Sequence, residues 1–460
     1  MKDTHTIAAI STPQGEGGIG IIRISGDEAI RIGSKILSHP SGKKITFWPE
    51  RQVRLGLAVS PDGTIIDEVI YFFFKKNRSY TGEDVLEIQG HGGYQNLKKI
   101  LTYTIKAGAQ LAEPGEFTKR AYLNGRLDLT QAEAVIDLIR SRTDLAHQVA
   151  LTQLRGELST VIKEQETRLL ELLVPIEAAL DFPEDEIPDL EREQALNVIQ
   201  TVQQELENLL AQADKGIILR EAASVVLAGR PNVGKSSLLN RLLGEERAIV
   251  TPIPGTTRDF VAETIDLDGV PVRLIDTAGI REIDNVVEKA GVERAWQIIR
   301  EADLILAVLD SATEMSREDQ EMINSIKQKK AVIILNKTDL PVKLFPEDLR
   351  AKFPGYTILS VSAITGVGIK ALKDVIREEL MGICGTDEHP VLVTKLRHKE
   401  ALEEAVERLH SVAEGLQLQC SEDLLAGDIR GALEALGRIT GRSVSEEIIN
   451  EIFSQFCIGK

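Results

Sequence analysis

Residues 224–239 read Ser-Val-Val-Leu-Ala-Gly-Arg-Pro-Asn-Val-Gly-Lys-Ser-Ser-Leu-Leu. The apolar run 224–228 has the length and composition of a buried strand. Gly229 to Ser236 is a glycine-bounded loop closed by Lys-Ser, and a helix opens at Ser237-Leu238-Leu239. Strand, loop and helix in that order make an anion trap. Successive backbone N–H groups, and the N-terminus of the helix, point at one phosphate. Asn232, Val233, Gly234, Lys235, Ser236 and Ser237 form the cradle. Lys235 supplies a positive charge near the outer phosphates, and Ser236 a hydroxyl for magnesium.

Four further segments decide which nucleotide fits. Asp276-Thr277-Ala278-Gly279 ends the apolar run Val272 to Ile275. There a carboxylate can hold a magnesium-bound water and the Gly279 N–H can meet a γ-phosphate. Asn336-Lys337-Thr338-Asp339 ends the run Ala331 to Leu335. The Asp339 carboxylate can accept two N–H bonds from guanine, an edge that adenine lacks, so this segment selects GTP over ATP. Ser362-Ala363 follows Tyr356 to Val361 and offers backbone N–H groups to the guanine oxygen. Gly255-Thr256-Thr257-Arg258-Asp259 is a candidate switch segment with a threonine for magnesium. Each segment is short, but five in order, each belonging to a strand end or a connecting loop, define a Ras-like P-loop GTPase domain.

Two positions depart from the Ras-like pattern. Ile280 stands where Ras-like proteins carry the glutamine that orients the attacking water, and it cannot do that work. A substitute carboxylate is available in the stretch Glu282 to Glu288. Asn232 lies inside the phosphate loop. Its oxygen can hold a monovalent cation against the phosphates, which would act as an arginine finger does, or it can make a local turn-forming hydrogen bond.

The chain has 460 residues, enough for about three domains. It is 43% hydrophobic and 27% charged, without an apolar run long enough to span a membrane. The start, Met1-Lys2-Asp3-Thr4-His5, lacks the basic and apolar regions of a signal peptide. Cys384, Cys420 and Cys457 are far apart and show no metal spacing, which fits a reducing cytoplasm. Lys plus Arg number 54 against 71 Asp plus Glu, a formal charge of −17. A protein gripping nucleic acid by itself is normally basic, so an RNA substrate would need a local patch or a partner.

Residues 1–120 read as an α+β domain, with strands expected at 6–10, 20–24, 53–59, 68–74 and 85–89. Gly15, Gly17 and Gly20 have dinucleotide-fingerprint spacing, but a strand pattern, Ile21-Ile22-Arg23-Ile24, follows instead of a helix. From Asp128 the pattern turns helical. Asp128 and Gln131 form a candidate capping box. Leu151, Leu154, Leu158, Ile162, Leu169, Leu173 and Ile176 recur at helical spacing, and Pro175 should kink or end that helix. A second run carries Leu196, Ile199, Val202, Leu206, Leu209 and Ala213. Helical periodicity returns after 383, and Ser443 with Glu446 is a candidate cap for the last helix. The expected division is therefore 1–120, then a helical domain in two parts, 121–217 and 384–460, with the GTPase domain 218–383 inserted between them. An insert joined to two helices can pull on both when its nucleotide changes.

Outside the GTPase, three features invite a functional reading. Cys457-Ile458-Gly459-Lys460 carries a thiol that can reach a neighbouring site, or is a bland surface cysteine. Arg23 and Glu87 flank glycine-rich turns. A carboxylate there can pair with a pterin-like N–H edge, or both can be solvated strand-edge residues. His91 reads as a hydrogen-bonded turn residue rather than a metal ligand.

The chain as a whole resembles the MnmE (TrmE) family of tRNA-modification GTPases. The resemblance rests on Gly17 to Gly26 (GGIGIIRISG), on Leu123 to Glu133 (LNGRLDLTQAE), on a GTPase inserted in helices and on the CIGK segment. It implies a homodimer formed through the first domain, which binds a tetrahydrofolate derivative (5,10-methylene or 5-formyl) at positions matching Arg23, Glu87, Arg126 and Lys460. Position 126 is often lysine in the family; arginine keeps the charge but changes the shape. The resemblance places potassium on Asn232, Thr251, Ile253 and Thr256, and magnesium on Ser236 and Thr257. It makes Glu288 the water-orienting carboxylate and Cys457 the cysteine needed for modification. It further implies work with a flavin-containing partner, MnmG (GidA), in a heterotetramer or larger complex. That complex adds an aminomethyl or carboxymethylaminomethyl group to C5 of the wobble uridine of certain tRNAs, with the tRNA held mainly by the partner. The alternative is a ribosome-assembly GTPase switch of the Era or EngA type, although no basic RNA-binding segment is evident.

Overall fold

The computed structural model describes residues 5–13, 15–181, 191–245, 262–276, 296–382 and 391–460. The chain folds into two compact units. One comprises Met1–Ile136, Gln153–Leu170 and Arg430–Lys460; the other comprises Asp137–Thr152 and Glu171–Ile429.

The first unit is built on a seven-stranded sheet. Its strands are β1 (Ile7–Ile10), β2 (Gly20–Ser25), β3 (Leu37–Ser38), β4 (Arg54–Val59), β5 (Ile65–Phe74), β6 (Val85–Gly90) and β7 (Gln110–Leu111). They run in the order β3-β4-β5-β6-β2-β1-β7. All neighbours are antiparallel except β1 and β7. The five longer strands lie within a few residues of their expected positions. Alternation divides the faces. Ala8, Ile22, Ile24, Leu86 and Ile88 meet Ile32, Leu97 and Ile100 from the helices Ala29–Ile36 and Tyr94–Lys106. Ile7 and Ala9, on the other face, cluster with Ala112 and with Phe117 of the helix Glu116–Leu123. On that second face Ala9, Arg23, Glu87 and Phe72 align in register as one row across β1, β2, β6 and β5.

The second unit holds a six-stranded sheet of β8 (Ala223–Ala228), β9 (Ala262–Leu267), β10 (Val270–Asp276), β11 (Leu304–Asp310), β12 (Ala331–Asn336) and β13 (Thr357–Ser360). The order is β13-β12-β11-β8-β10-β9, with only the edge strand β9 antiparallel to its neighbour. This is the expected Ras-like arrangement. Its central strands are largely apolar because both faces are covered. Val225, Leu227, Leu274 and Leu306 pack with Leu238, Leu242, Leu372 and Ile376, from the helices Lys235–Glu245 and Ile369–Met381. Val226, Ala228, Ile305 and Ile333 pack with Ile323 and Leu349, from Arg317–Ser325 and Pro346–Lys352. In the same unit the 30-residue helix Arg192–Glu221 lies along Leu396–Gln417.

The helical readings hold in part. Asp128 and Gln131 do cap each other: the Asp128 N–H donates to Gln131 Oε1 and the Gln131 N–H to Asp128 Oδ1, each at 3.1 Å. The run from Leu151 is not one helix. It breaks at Gly156, whose φ of 85° suits glycine, into Asp144–Leu154 and Glu157–Asp181. Nor does Pro175 end the second of these, which continues to Asp181. The last helix, Glu446–Ser454, is capped by Ser445, which accepts from the Ile448 N–H, rather than by Ser443. Ser445 has the extended backbone, φ −69° and ψ 154°, that an N-cap residue adopts.

Candidate functional site

In the second unit β8 lies between β10 and β11, so the chain leaves it in opposite directions on its two sides. A crevice opens at the carboxyl end of such a strand. Gly229 to Ser236 occupies that end. Lys235 is 5% exposed, and its ammonium donates to the carbonyls of Gly229 at 3.0 Å and Arg230 at 2.8 Å. Ser236 Oγ donates to Asp276 Oδ2 at 2.6 Å, so the hydroxyl and carboxylate expected to serve magnesium come together from the loop and from β10. Hard cations take oxygen ligands, and a hydroxyl beside a carboxylate offers them, so these residues fit magnesium.

The segments expected to read guanine close on the same loop. Asn336 Nδ2 donates to the Val233 carbonyl at 3.0 Å, while its Oδ1 accepts from the Ala363 N–H at 3.1 Å. One buried amide thus ties three motifs. Gly234 has a φ of 95°, and a Cβ there would collide with Asn336 Nδ2, so the loop and the Asn336 motif approach as only glycine allows. Lys337 Nζ reaches the Asn232 carbonyl and Asp310 Oδ2, both at 2.6 Å. Ser362 Oγ donates to Asp339 Oδ1 at 2.5 Å, which orients an exposed carboxylate. Asn232 itself has a φ of 66°, and its exposed side-chain amide makes no hydrogen bond among the described residues. Its backbone conformation supplies the turn, so the side-chain oxygen is not used for it.

The row on the first sheet forms a second polar site. Arg23 Nε bonds Glu87 Oε1 at 2.8 Å, with both side chains about 15% exposed. The guanidinium lies 5.6 Å from the ring centroids of Tyr80 and Phe117, within cation–π range. Tyr80 donates to or accepts from Thr118 Oγ1 at 2.9 Å, and burial pushes its hydroxyl above the usual pKa. The CIGK segment docks beside the row. Ile458 bridges to Pro114, and the Phe117 N–H donates to the Lys460 carbonyl at 3.1 Å. Gly459 has a φ of 93°, and a Cβ there would collide with the Ile10 carbonyl. Burial, followed by the neighbouring Arg23 charge, holds the Lys460 ammonium below its ordinary pKa. Cys457 is exposed. A carboxylate and cations walled by aromatic rings can pair with the polar edge of a flat heterocycle and stack on its face.

Family models match most of the chain: the GTP-binding protein TrmE N-terminus over residues 6–126, and the MnmE helical domain over 129–457. The chain is 45% identical over 457 residues to the tRNA modification GTPase MnmE of Thermoanaerobacter pseudethanolicus, covering 99% of both. The identity is 43% to those of Alkaliphilus oremlandii, with 100% of both covered, and Clostridioides difficile, with 99% of both covered. The chain belongs to the MnmE family. Among solved structures, the G domain of the T. maritima FeoB iron transporter is similar over 34% of this chain and 98% of its own, at 27% identity and a TM-score of 0.28.

As a GTPase of the MnmE family, the chain brings the phosphate loop, Asp276, Asn336 to Asp339 and Ser362-Ala363 to one place. Thr251, Ile253, Thr256, Thr257, Thr277, Ala278, Gly279 and Glu288 lie outside the described residues. Arg23, Glu87 and Lys460 come together. Arg126 is exposed, with its Cγ beside Gly82, and the structure shows no bond from its side chain to that trio. His91 is the turn residue expected: its N–H and Nδ1 bond the two oxygens of Asp67, at 2.8 and 2.7 Å. No metal-binding cluster of His, Cys, Asp or Glu, and no helix long and apolar enough to cross a membrane, occurs among the described residues. Sequence reasoning missed Tyr80, Phe117 and Asp310. An aromatic in a loop carries no periodic signal, and Asp310 reads simply as the end of an apolar strand.

Proposed function

We propose that the chain is a potassium-activated GTP hydrolase of the cytoplasm that works on tRNA. GTP occupies the crevice at β8. Lys235 and the loop N–H groups hold the phosphates, Asp339 reads guanine, and Ser236 with Thr257 hold magnesium. Asn232, Thr251, Ile253 and Thr256 hold potassium, which supplies positive charge where the transferring phosphoryl gains negative charge. Glu288 positions the water, replacing the glutamine that Ile280 cannot mimic. The first domain dimerises and takes a tetrahydrofolate derivative at Arg23, Glu87, Arg126 and Lys460. A flavin-containing partner of the MnmG (GidA) type holds most of the tRNA, and the two proteins add an aminomethyl or carboxymethylaminomethyl group to C5 of the wobble uridine. The proposed domains are 1–120, 121–217 with 384–460, and 218–383.

The observation that supports this reading best is the docking of Lys460 beside the Arg23–Glu87 pair in a chain that also carries the GTP motifs. A general GTPase switch has no need of a polar, aromatic-walled site in a separate domain with a thiol three residues away. Cys457→Ser tests it. Nucleoside analysis of tRNA should show the modified uridine lost, while GTP hydrolysis stays at its original rate. Retained modification would make the cysteine incidental and remove the chemical role given to this segment.

A further inference from the structure

Arg230 is the second residue of the phosphate loop and belongs to none of the nucleotide contacts above. Its Nε bonds Asp319 Oδ1 at 2.8 Å. Asp319 is the third residue of the helix Arg317–Ser325 and closes a capping box with Ser316. Its Oδ2 accepts from the Ser316 N–H at 3.0 Å and from Ser316 Oγ at 2.8 Å. The cap thus uses one oxygen, and the other points at the phosphate loop. A capping carboxylate at a helix start is ordinarily exposed, whereas the Asp319 side chain is 4% exposed. The hydrogen bond that Arg230 donates to Asp319, assisted by the charges of Asp319, Glu318 and Asp310 and opposed by burial, raises the Arg230 pKa above its usual value.

The chain of contacts continues inward. The Arg230 carbonyl is one of the two that receive the Lys235 ammonium. One line of bonds therefore runs from the helix cap through Asp319 and Arg230 to the lysine that meets the phosphates. The middle of the loop, at Asn232 and Val233, is held by Lys337 and Asn336.

We propose that Asp319 is a positioning residue for nucleotide binding: through Arg230 it fixes the first turn of the phosphate loop and the direction in which Lys235 is presented. Asp319 is the rigid partner of the pair: its carboxylate is 4% exposed and already bonded through both oxygens, whereas the Arg230 side chain is 30% exposed. The inference rests on the GTPase reading of the loop.

The test is the release rate of a fluorescent GDP analogue from the full chain, measured for Arg230→Gln, Asp319→Asn and the double variant. Each single change should speed release about tenfold, the effect of losing one charge-assisted bond. The double variant should release no faster than the faster single one, and the preference for guanine over xanthine should not move. Unchanged release with a lowered melting temperature would overturn the proposal, since Asp319 would then only cap its helix. A double effect equal to the product of the singles would overturn it too, because the residues would act separately. Arg230→Gln leaves the cap whole, so it decides the question if Asp319→Asn does not fold: fast release supports the proposal, unchanged release ends it. A native chain that binds no GDP would instead count against the GTPase reading itself.

Discussion

The two sheets build their sites in different ways. At β8 the site is made largely of backbone. The loop 229–236 offers consecutive N–H groups, its Lys235 bonds carbonyls of the same loop, and Asn336 at the end of β12 donates to the loop's Val233 carbonyl. On the first sheet the site is made of side chains from residues 23, 80, 87, 117 and 460, brought together by strand register and by the docked CIGK segment. A backbone-built site must keep its residues adjacent in sequence, because successive N–H groups have to converge on one phosphate. A side-chain site has no such constraint and can draw on distant segments.

That difference predicts how each site breaks. The largest effect belongs to Asp339→Asn, which removes an acceptor for two guanine N–H groups and should weaken GTP about a hundredfold while strengthening xanthosine triphosphate. Competition binding checks this; an unchanged preference would mean that the Ser362-held carboxylate does not read the base. Folate binding at the first sheet should be untouched. Next, Arg23→Ala should weaken a tetrahydrofolate derivative about tenfold or more and leave GTP hydrolysis near normal. Equal loss of both activities in calorimetry and phosphate-release assays would show that the two sites are not separable.

The smallest effect concerns pH. The Lys460 ammonium sits below its ordinary value of 10.5 because burial and Arg23 disfavour the charged form, against opposing attraction from Glu87 and Cys457. The unfolded chain therefore holds this proton to higher pH than the folded one does. Docking of the segment should strengthen as pH rises through the lowered pKa toward 10.5, and gain nothing more above it. Hydrogen-exchange protection of the Phe117 N–H, which is bonded to the Lys460 carbonyl, reports docking. Lys460→Met should flatten its rise with pH; a rise of the same size in the variant would assign it to another group.

The same contrast explains what was legible in the sequence. The Ras-like sheet and the placement of Asp276, Asn336 and Ser362 at strand ends follow from short motifs at the ends of apolar runs. Arg23 and Glu87 were visible only as strand residues beside glycine turns, because their pairing depends on the register of β2 with β6. Tyr80 and Phe117 left no trace, since a loop aromatic and a buried helix aromatic look alike in sequence. The break at Gly156 and the cap at Ser445 depend on single left-handed or extended residues, which hydrophobic periodicity does not record. Pro175 shows the converse: of the two outcomes it signals, a kink or an end, the helix does not end there and continues to Asp181.

The most direct test of the central claim is steady-state GTP hydrolysis in potassium and in sodium at matched ionic strength, across a range of protein concentrations. The proposed potassium held by Asn232, Thr251, Ile253 and Thr256 predicts a rate that is strongly higher in potassium than in sodium at every concentration. Equal rates in the two salts at every concentration would contradict it.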